Sequence, residues 1–156
     1  MQIEDQTGVV LARMALYGEA RGERDANRDL DALGMYLVYC VIYTRTRLRK
    51  QTLAQVILSK WQFSFLNDGD PNRSKLLTAW HDDPVSWERA DAVADIFESG
   101  CTWDPTDGAT HYCTASLWNI DDAGRDHPRW HSKQEIDAGR TVLKFQRGHH
   151  IFAVAP

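Results

Sequence analysis

Residues 32–49 carry the strongest helical signal in this 156-residue chain. Apolar side chains recur there at intervals of three and four residues, which is the spacing that places them on one face of an α-helix. The positions on this stripe are Leu33, Tyr36, Leu37, Cys40, Val41, Thr44 and Leu48. We therefore predict a central packing helix, around which the rest of the fold must be arranged.

Three further helices are predicted from periodicity and capping residues. The first begins near residue 7 and buries a stripe that runs to about residue 17. Thr52 and Gln55 fit a capping box that opens a short helix through Leu58. Asp83 and Pro84 are typical of an N-cap and first helical position, and Gly100 of a stop, so another helix is expected over residues 84–99.

The remaining segments predict a small β element and turns. We expect residues 61–66 to be extended and the polar residues 67–71 to form a hairpin turn or exposed loop. A short strand or ordered loop is expected over residues 109–117, after a turn at 104–108. Residues 119–140 are polar and turn-rich, and residues 147–154 are expected to close the domain as a terminal strand.

Length and composition favour one compact domain, residues 1–156, with 43% hydrophobic residues. The net charge of -4 argues against a nucleic-acid-binding protein, and we attribute the basic cluster of Arg45, Arg47, Arg49 and Lys50 to a helix C-terminus. No apolar run is long enough to span a bilayer, so no stable membrane insertion is expected. Three cysteines predict no disulfide framework, and Cys40 should be a buried free thiol.

Residues 17–23 place charged groups between glycines where the first helix is expected to end. Glu19 should lie beside the core, where lost hydration raises the pKa of a carboxyl and lets it hold a proton near neutral pH. Such a group can protonate a leaving oxygen. Gly18 and Gly22 would supply positive φ or close approach of a ligand. A charged helix end without function is the alternative interpretation.

Aromatic residues are frequent, with six tryptophans and five tyrosines, and several fall in predicted loops. Indole and phenol rings stack on the apolar faces of sugar rings, and the hydroxyl groups then need polar partners such as Gln62 and Ser64. The loop aromatics are Trp61, Trp103, Tyr112, Trp118 and Trp130. A carbohydrate ligand accounts for this pattern, although about half of these rings are expected to be core.

Histidine and cysteine side chains permit a competing interpretation as zinc ligands. The candidates are His111, Cys113, His127, His131, His149 and His150. Pro128 interrupts the helical spacing of His127 and His131, and His111 with Cys113 is a weak pattern alone. We therefore predict no metal and no other cofactor, with His150 hydrogen-bonded inside the fold and His111 either likewise or lining a cleft.

In combination, the chain resembles the SleB-type cell wall hydrolase family. The blocks that carry the resemblance are LYGEARGE at 16–23, QFS at 62–64, DPTDGATHY at 104–112, Trp130 and GHHIF at 148–152. The resemblance implies peptidoglycan as substrate and a mainly α single domain with a small β element, lysozyme-like (α+β), with a substrate cleft. It also matches the family's catalytic acid to Glu19.

The resemblance implies cleavage of the glycan strand at the β-1,4 bond between N-acetylmuramic acid and N-acetylglucosamine. Glu19 would donate a proton to the glycosidic oxygen, and Gln62, Ser64, His111, Tyr112 and Trp130 would bind the sugars, with Tyr17, Arg21, Glu23 and His150 in support. A hydrolase needs a second carboxylate, for which Glu23, Asp68 and Asp70 are the nearest candidates in sequence. None has a strong claim, so lytic transglycosylation is favoured over muramidase hydrolysis.

The N-terminal residues lack the pattern of a secretory signal peptide. We therefore expect a phage or prophage endolysin, a monomer kept in the host bacterial cytoplasm until a holin releases it to the cell wall. A zinc-dependent peptidoglycan amidase and a non-catalytic wall-binding module are the alternatives. Activity that survives EDTA argues against the amidase, and release of fragments argues against the binding module.

Overall fold

The computed structural model of the chain describes residues 2–22, 32–60, 62–118, 130 and 132–156. These residues form a mostly helical single domain with a small three-stranded antiparallel sheet, as predicted. The helices are α1 (Gly8–Ala20), α2 (Ala32–Arg49), α3 (Leu53–Ile57), α4 (Arg73–Leu76), α5 (Ala79–Asp82), α6 (Pro84–Glu98) and α7 (Lys133–Asp137). The strands are β1 (His111–Thr114), β2 (Val142–Arg147) and β3 (His150–Val154).

Helix α2 lies in the centre of the helical layer, where the apolar stripe placed it. It packs against α1, α3 and α6, and its residues from Gly34 to Ile42 are all buried. Cys40 is a buried free thiol in this helix, as predicted. Helix α1 also contacts α3 and α6, so the two long apolar helices share one core.

The predicted capping residues act as expected. Thr52 and Gln55 form the reciprocal capping box at the start of α3. The Asp83 side chain accepts a hydrogen bond from the backbone N–H of Ser86, with Pro84 as the first helical residue. Gly100 follows α6 with a φ of 88°, a value that favours glycine. The prediction for residues 84–99 is therefore confirmed to within one residue.

Helix α1 ends at Ala20, within residues 17–23 where the sequence predicted its end. Gly18 adopts helical geometry, and its missing side chain lets the Phe65 ring pack closely against α1. A Cβ atom at this position would lie 2.7 Å from that ring. Gly22 has open space around its Cα, and neither glycine has a positive φ. The positive-φ alternative is thus wrong for both glycines, and the group that approaches Gly18 closely is the Phe65 ring.

The predicted extended segment before the 67–71 turn is wrong for Ser64–Leu66, which forms a single 3-10 turn. The turn pairs backbone groups locally, since the N–H groups of Leu66 and Asn67 donate to the carbonyls of Phe63 and Ser64. Phe63 and Phe65 are both buried, at 1% and 3% exposure. Their spacing equals the two-residue period of a β-strand, which is why the sequence predicts an extended segment. The 3-10 turn buries both rings without a partner strand.

The sheet has the order β1-β3-β2, with the strand that comes last in the chain at its centre. The predicted terminal strand at 147–154 is wrong at its start, because Arg147 ends β2 and a turn with Gly148 at a φ of 54° precedes β3. Residues 133–137 form a helix within the segment read as turn-rich. Strand β2 escaped prediction because most of its side chains are exposed, so it lacks a buried apolar face.

Among the described residues, no helix combines the length and apolar character that crossing a membrane requires.

Candidate active site

A cleft with a volume of about 510 Å³ runs between the helical layer and the sheet. Glu19 lines this cleft together with all five residues predicted to bind substrate and with the predicted supporting residue His150. The five are Gln62, Ser64, His111, Tyr112 and Trp130. The cleft therefore gathers residues that are far apart in sequence, including a carboxyl, an amide, a hydroxyl and several rings.

Glu19 occupies the second-to-last position of α1, beside the core. The Tyr112 hydroxyl, on β1, donates a hydrogen bond of 2.8 Å to Glu19 Oε2. Burial raises the pKa of Glu19 to about 6, against the opposing effects of the Tyr112 hydrogen bond and the Arg45 charge. Asp70 adds a smaller effect in the raising direction. The raised pKa predicted from the sequence is thus matched, and burial is its main cause, so the group can hold a proton close to neutral pH.

The sheet side of the cleft presents rings. The His111 ring lies 4.9 Å from Trp130, centroid to centroid, and its Nδ1 lies 2.8 Å from the Thr110 hydroxyl oxygen. Burial lowers the pKa of His111 to about 4, and the charges of Arg45 and Arg49 act in the same direction. His111 is therefore neutral near pH 7, as expected for a residue that stacks on or hydrogen-bonds to an uncharged sugar.

Tyr112 is held between neighbouring rings. His150 meets it edge-on at 5.4 Å, and Phe152 lies 5.9 Å away on the same side of the sheet. His150 itself is buried, at 6% exposure. Because β1 and β3 are paired in register at Tyr112 and Phe152, the sheet fixes the position of the phenol that contacts Glu19.

Gln62 and Ser64 belong to the helical side of the cleft. The guanidinium of Arg49, in the last turn of α2, donates a 3.1 Å hydrogen bond to Gln62 Oε1, which leaves the amide nitrogen of Gln62 for another partner. Ser64 begins the 3-10 turn and is exposed to the cleft. Both side chains are placed to meet hydroxyl or acetamido groups.

Arg45 is a cleft residue that the sequence interpretation missed. It had been grouped with Arg47, Arg49 and Lys50 at a helix C-terminus, but it is buried, at 7% exposure, and lines the cleft with Glu19. Its Nε donates a 2.7 Å hydrogen bond to the carbonyl of Thr110. One signal was available: Arg45 follows the stripe position Val41 by four residues, so it lies on the buried face of α2.

The two described candidates for a second carboxylate, Asp68 and Asp70, are not among the residues that line the cleft with Glu19. Asp68 is fully exposed and lies 4.0 Å from Arg73. Asp70 lines a separate groove with Glu4 and Arg73, and its side chain accepts a hydrogen bond from the N–H of Asn72. Glu23 lies outside the described residues. Among the described residues that line the cleft, Glu19 supplies the only carboxylate.

The supporting residues Tyr17 and Arg21 lie behind the cleft. Tyr17 is buried in the core with its ring 6.2 Å from that of Trp87, and the Arg21 guanidinium lies 5.0 Å from the Tyr17 ring centroid. This contact secures the end of α1, on which Glu19 stands.

The zinc interpretation gains no cluster from the described part of the chain, where no three histidine, cysteine or acidic side chains gather in metal-binding geometry. His111, Cys113 and His150 do share the cleft. The candidates His127 and His131 lie outside the described residues, as does the loop aromatic Trp61.

Comparison with solved structures shows the same fold in bacterial catalytic domains. The catalytic domain of the germination-specific lytic transglycosylase SleB from Bacillus anthracis is 23% identical, with a TM-score of 0.57, over 95% of this chain and 94% of that one. The catalytic domain of the Bacillus cereus SleB protein is 22% identical, with a TM-score of 0.53, over 93% and 88%. No curated protein sequence matches the chain significantly.

The sequence model of the family described as cell wall hydrolases matches residues 31–153. This range holds the five predicted substrate-binding residues and both sides of the cleft, except for α1. Glu19 precedes the matched range, so its assignment rests on its place in the cleft.

Proposed function

The chain belongs to the cell wall hydrolase family and cleaves peptidoglycan, and we propose that it does so by lytic transglycosylation with Glu19 as the acid and then the base. The observation that carries this proposal is a half-buried, hydrogen-bonded carboxyl, the only carboxylate among the described residues that line the cleft. The fold shared with a protein described as a lytic transglycosylase agrees with it.

In the first step, protonated Glu19 donates its proton to the glycosidic oxygen between N-acetylmuramic acid and N-acetylglucosamine. The bond from that oxygen to C1 of the muramic acid breaks, and positive charge develops at C1 and the ring oxygen. The leaving sugar departs with a free 4-hydroxyl group. Glu19 remains as a carboxylate, which accepts the hydrogen bond from Tyr112.

In the second step, the Glu19 carboxylate takes the proton of the C6 hydroxyl of the same muramic acid. O6 then forms a bond with C1 and gives a 1,6-anhydro ring, so no water is consumed. One carboxyl suffices for both steps, whereas hydrolysis by a second carboxylate needs that group across the sugar from the acid. The lone carboxylate of the described cleft therefore favours the intramolecular route.

The rings and polar groups of the cleft would bind the glycan. The rings of His111 and Trp130 lie next to each other at an angle of 40° on the sheet side, where the apolar face of one sugar can rest. Gln62 and Ser64 on the helical side would bind acetamido and hydroxyl groups. Release by a holin and an origin as a phage endolysin remain predictions from the sequence alone.

The test is mass spectrometry of purified peptidoglycan digested by the wild-type chain. Fragments ending in 1,6-anhydromuramic acid, each lighter by one water than a reducing-end fragment, are expected. Reducing ends alone would replace the proposal with hydrolysis, and cleavage of the peptide stem that EDTA abolishes would replace it with a zinc amidase.

The role of Glu19 is tested by Glu19→Gln, which keeps the shape of the side chain and removes its acid. The initial rate of fragment release should fall at least about 10²-fold, the usual loss for a general acid. Glu98→Gln is the matched control, because Glu98 is an exposed carboxyl at the end of α6 and far from the cleft lining. A Glu19→Gln variant with the wild-type rate would refute the assignment.

A further inference from the structure

Within the described part of the chain, Arg45 has an incomplete set of partners for a buried cation. Its Nε donates to the carbonyl of Thr110, but its Nη1 is buried without a hydrogen-bond partner among the described residues. No carboxylate oxygen of the described chain lies within 4.0 Å of the guanidinium either. Burying a guanidinium in this state costs free energy. A stability role alone therefore does not account for the residue.

The position of Arg45 relative to Glu19 is fixed by the scaffold. The two residues stand on α2 and α1, which pack against each other, and both line the cleft. The hydrogen bond to Thr110 ties the guanidinium to the residue that precedes β1, the strand that carries Tyr112. The cation thus reaches from the helical layer to the base of the sheet and cannot move far without breaking that bond.

Charged and titratable groups approach Glu19 from each element packed around it. Tyr112 comes from β1, Arg45 from α2 and Asp70 from the loop before α4. His111, Cys113 and His150 complete the titratable residues of the described cleft, and Arg49 lies beyond Gln62. Arg45 is the described cation that lines the cleft, and its effect on Glu19 opposes that of Asp70.

From this arrangement, and resting on the proposed function, we propose that Arg45 is a positioning residue whose fixed buried charge stabilises Glu19 as a carboxylate between its two proton transfers. A direct ion pair would keep the carboxylate ionised at all times and remove its use as an acid. A charge beyond 4.0 Å acts more weakly. It leaves the resting acid half protonated near pH 6, yet it limits the free energy of the ionised state that the second step requires.

This role has a signature in the pH dependence of the reaction. The rate should fall on the alkaline side as Glu19 loses its proton, with a midpoint set by the pKa of that carboxyl, about 6. Arg45 lowers this pKa and Asp70 raises it. Removing the positive charge should therefore move the alkaline limb to higher pH, and removing the negative charge should move it to lower pH.

The experiment compares Arg45→Met, Arg45→Lys and Asp70→Asn with the wild type. The readouts are the pH profile of fragment release and the titration of the Glu19 carboxyl carbon by NMR. In Arg45→Met, both midpoints should rise by about one pH unit, and the maximal rate should fall by about tenfold. Arg45→Lys should restore the midpoint to within a few tenths of a unit, because it keeps the charge. Asp70→Asn should lower it.

The inference would be overturned if Arg45→Met lost activity while the alkaline midpoint of its pH profile stayed at the wild-type value, since a structural role predicts that result. It would also be overturned if the midpoint of Arg45→Lys shifted as far as the midpoint of Arg45→Met. If Arg45→Met does not fold, the proposal can still be tested by NMR of the wild type. The guanidinium nitrogen resonances of Arg45 should then shift with pH at the midpoint of the Glu19 titration. Their independence of Glu19 would equally overturn the proposal.

Failure of the inference can be told apart from failure of the proposed function. If Glu19→Gln stays active, the assignment of the acid itself is wrong. If Glu19→Gln is inactive but the Arg45 and Asp70 variants leave the midpoint in place, only the role of Arg45 falls.

Discussion

The two walls of the cleft differ in what they contribute. The helical wall supplies charge, with Glu19 from α1 and Arg45 from α2. The sheet wall supplies rings, with Tyr112 and His111 from β1 and His150 from β3. The hydrogen bond from Tyr112 to Glu19 joins the walls. The helical wall thus carries the carboxyl and the cation together with the polar side chains of Gln62 and Ser64, and the sheet wall carries most of the rings.

The walls also differ in how they respond to pH. Burial raises the pKa of Glu19 to about 6, whereas it lowers the pKa of His111 to about 4 and raises the pKa of the Cys113 thiol to about 11. His111 and Cys113 are thus both neutral where Glu19 titrates. The same physical cause, lost hydration, prepares an acid on one wall and an uncharged binding surface on the other.

The largest effect is expected from disturbing the packing of the helical wall. Gly18→Val would place a Cβ about 2.7 Å from the buried ring of Phe65, which must shift together with Ser64 in the cleft. We expect the free energy of unfolding to fall by about 2–3 kcal/mol, measured by chemical denaturation. Gly22→Val is the control, because open space surrounds Gly22. Equal losses in both variants would contradict the packing argument.

A gain in stability is expected when the charge is removed from the helical wall. The pKa of Glu19 in the folded state lies above its ordinary value of 4.5, so its contribution to stability is full at low pH and is lost as pH rises through about 6. Glu19→Gln should therefore raise the free energy of unfolding by about 2 kcal/mol at about pH 8 and change it little at about pH 4. A difference independent of pH would show that burial of the charge is not the cause.

Cutting the link between the walls should cost less. Tyr112→Phe removes the hydrogen bond that stabilises the ionised Glu19, so the pKa of Glu19 should rise and the rate should fall about tenfold. The pH profile of fragment release gives both quantities. Tyr43→Phe, on the exposed side of α2, serves as control. An alkaline limb that stays in place would mean that the phenol does not act on the acid.

The smallest effect is expected from the sheet wall. Trp130→Ala removes the ring that lies beside His111 and should raise KM about fivefold while kcat changes little, because a ring that stacks on a sugar binds the ground state and the transition state alike. Trp80→Ala, an exposed tryptophan outside the cleft lining, is the matched control. A fall in kcat with an unchanged KM would show that Trp130 acts in catalysis and not in substrate binding.

The sequence predicted the helical wall better than the sheet wall. Periodicity and capping residues located α2, α3 and α6 because their signals are local. Glu19 was selected by its place beside an apolar stripe together with the family resemblance. The strand β2 and the burial of Arg45 were missed. Strand pairing depends on residues distant in the chain. For Arg45 the four-residue spacing from Val41 was the one sign of burial, and its place in a basic cluster pointed the other way.

The combination of residues, more than any single motif, indicated the family, and all five residues selected for sugar binding line the cleft. The partner of Glu19 could not have been inferred from local pattern, because Tyr112 lies 93 residues away. Contacts of this kind follow from the packing of the layers, which periodicity does not describe.

The order of the sheet has a consequence for the life of the molecule. β3 is the last described strand along the chain and pairs with both β1 and β2, which do not pair with each other. The three described strands therefore cannot form their sheet before β3 has been synthesised. Tyr112 thus gains its supporting rings only after residue 152 has left the ribosome. During synthesis the helical layer should therefore form before the sheet side of the cleft is complete.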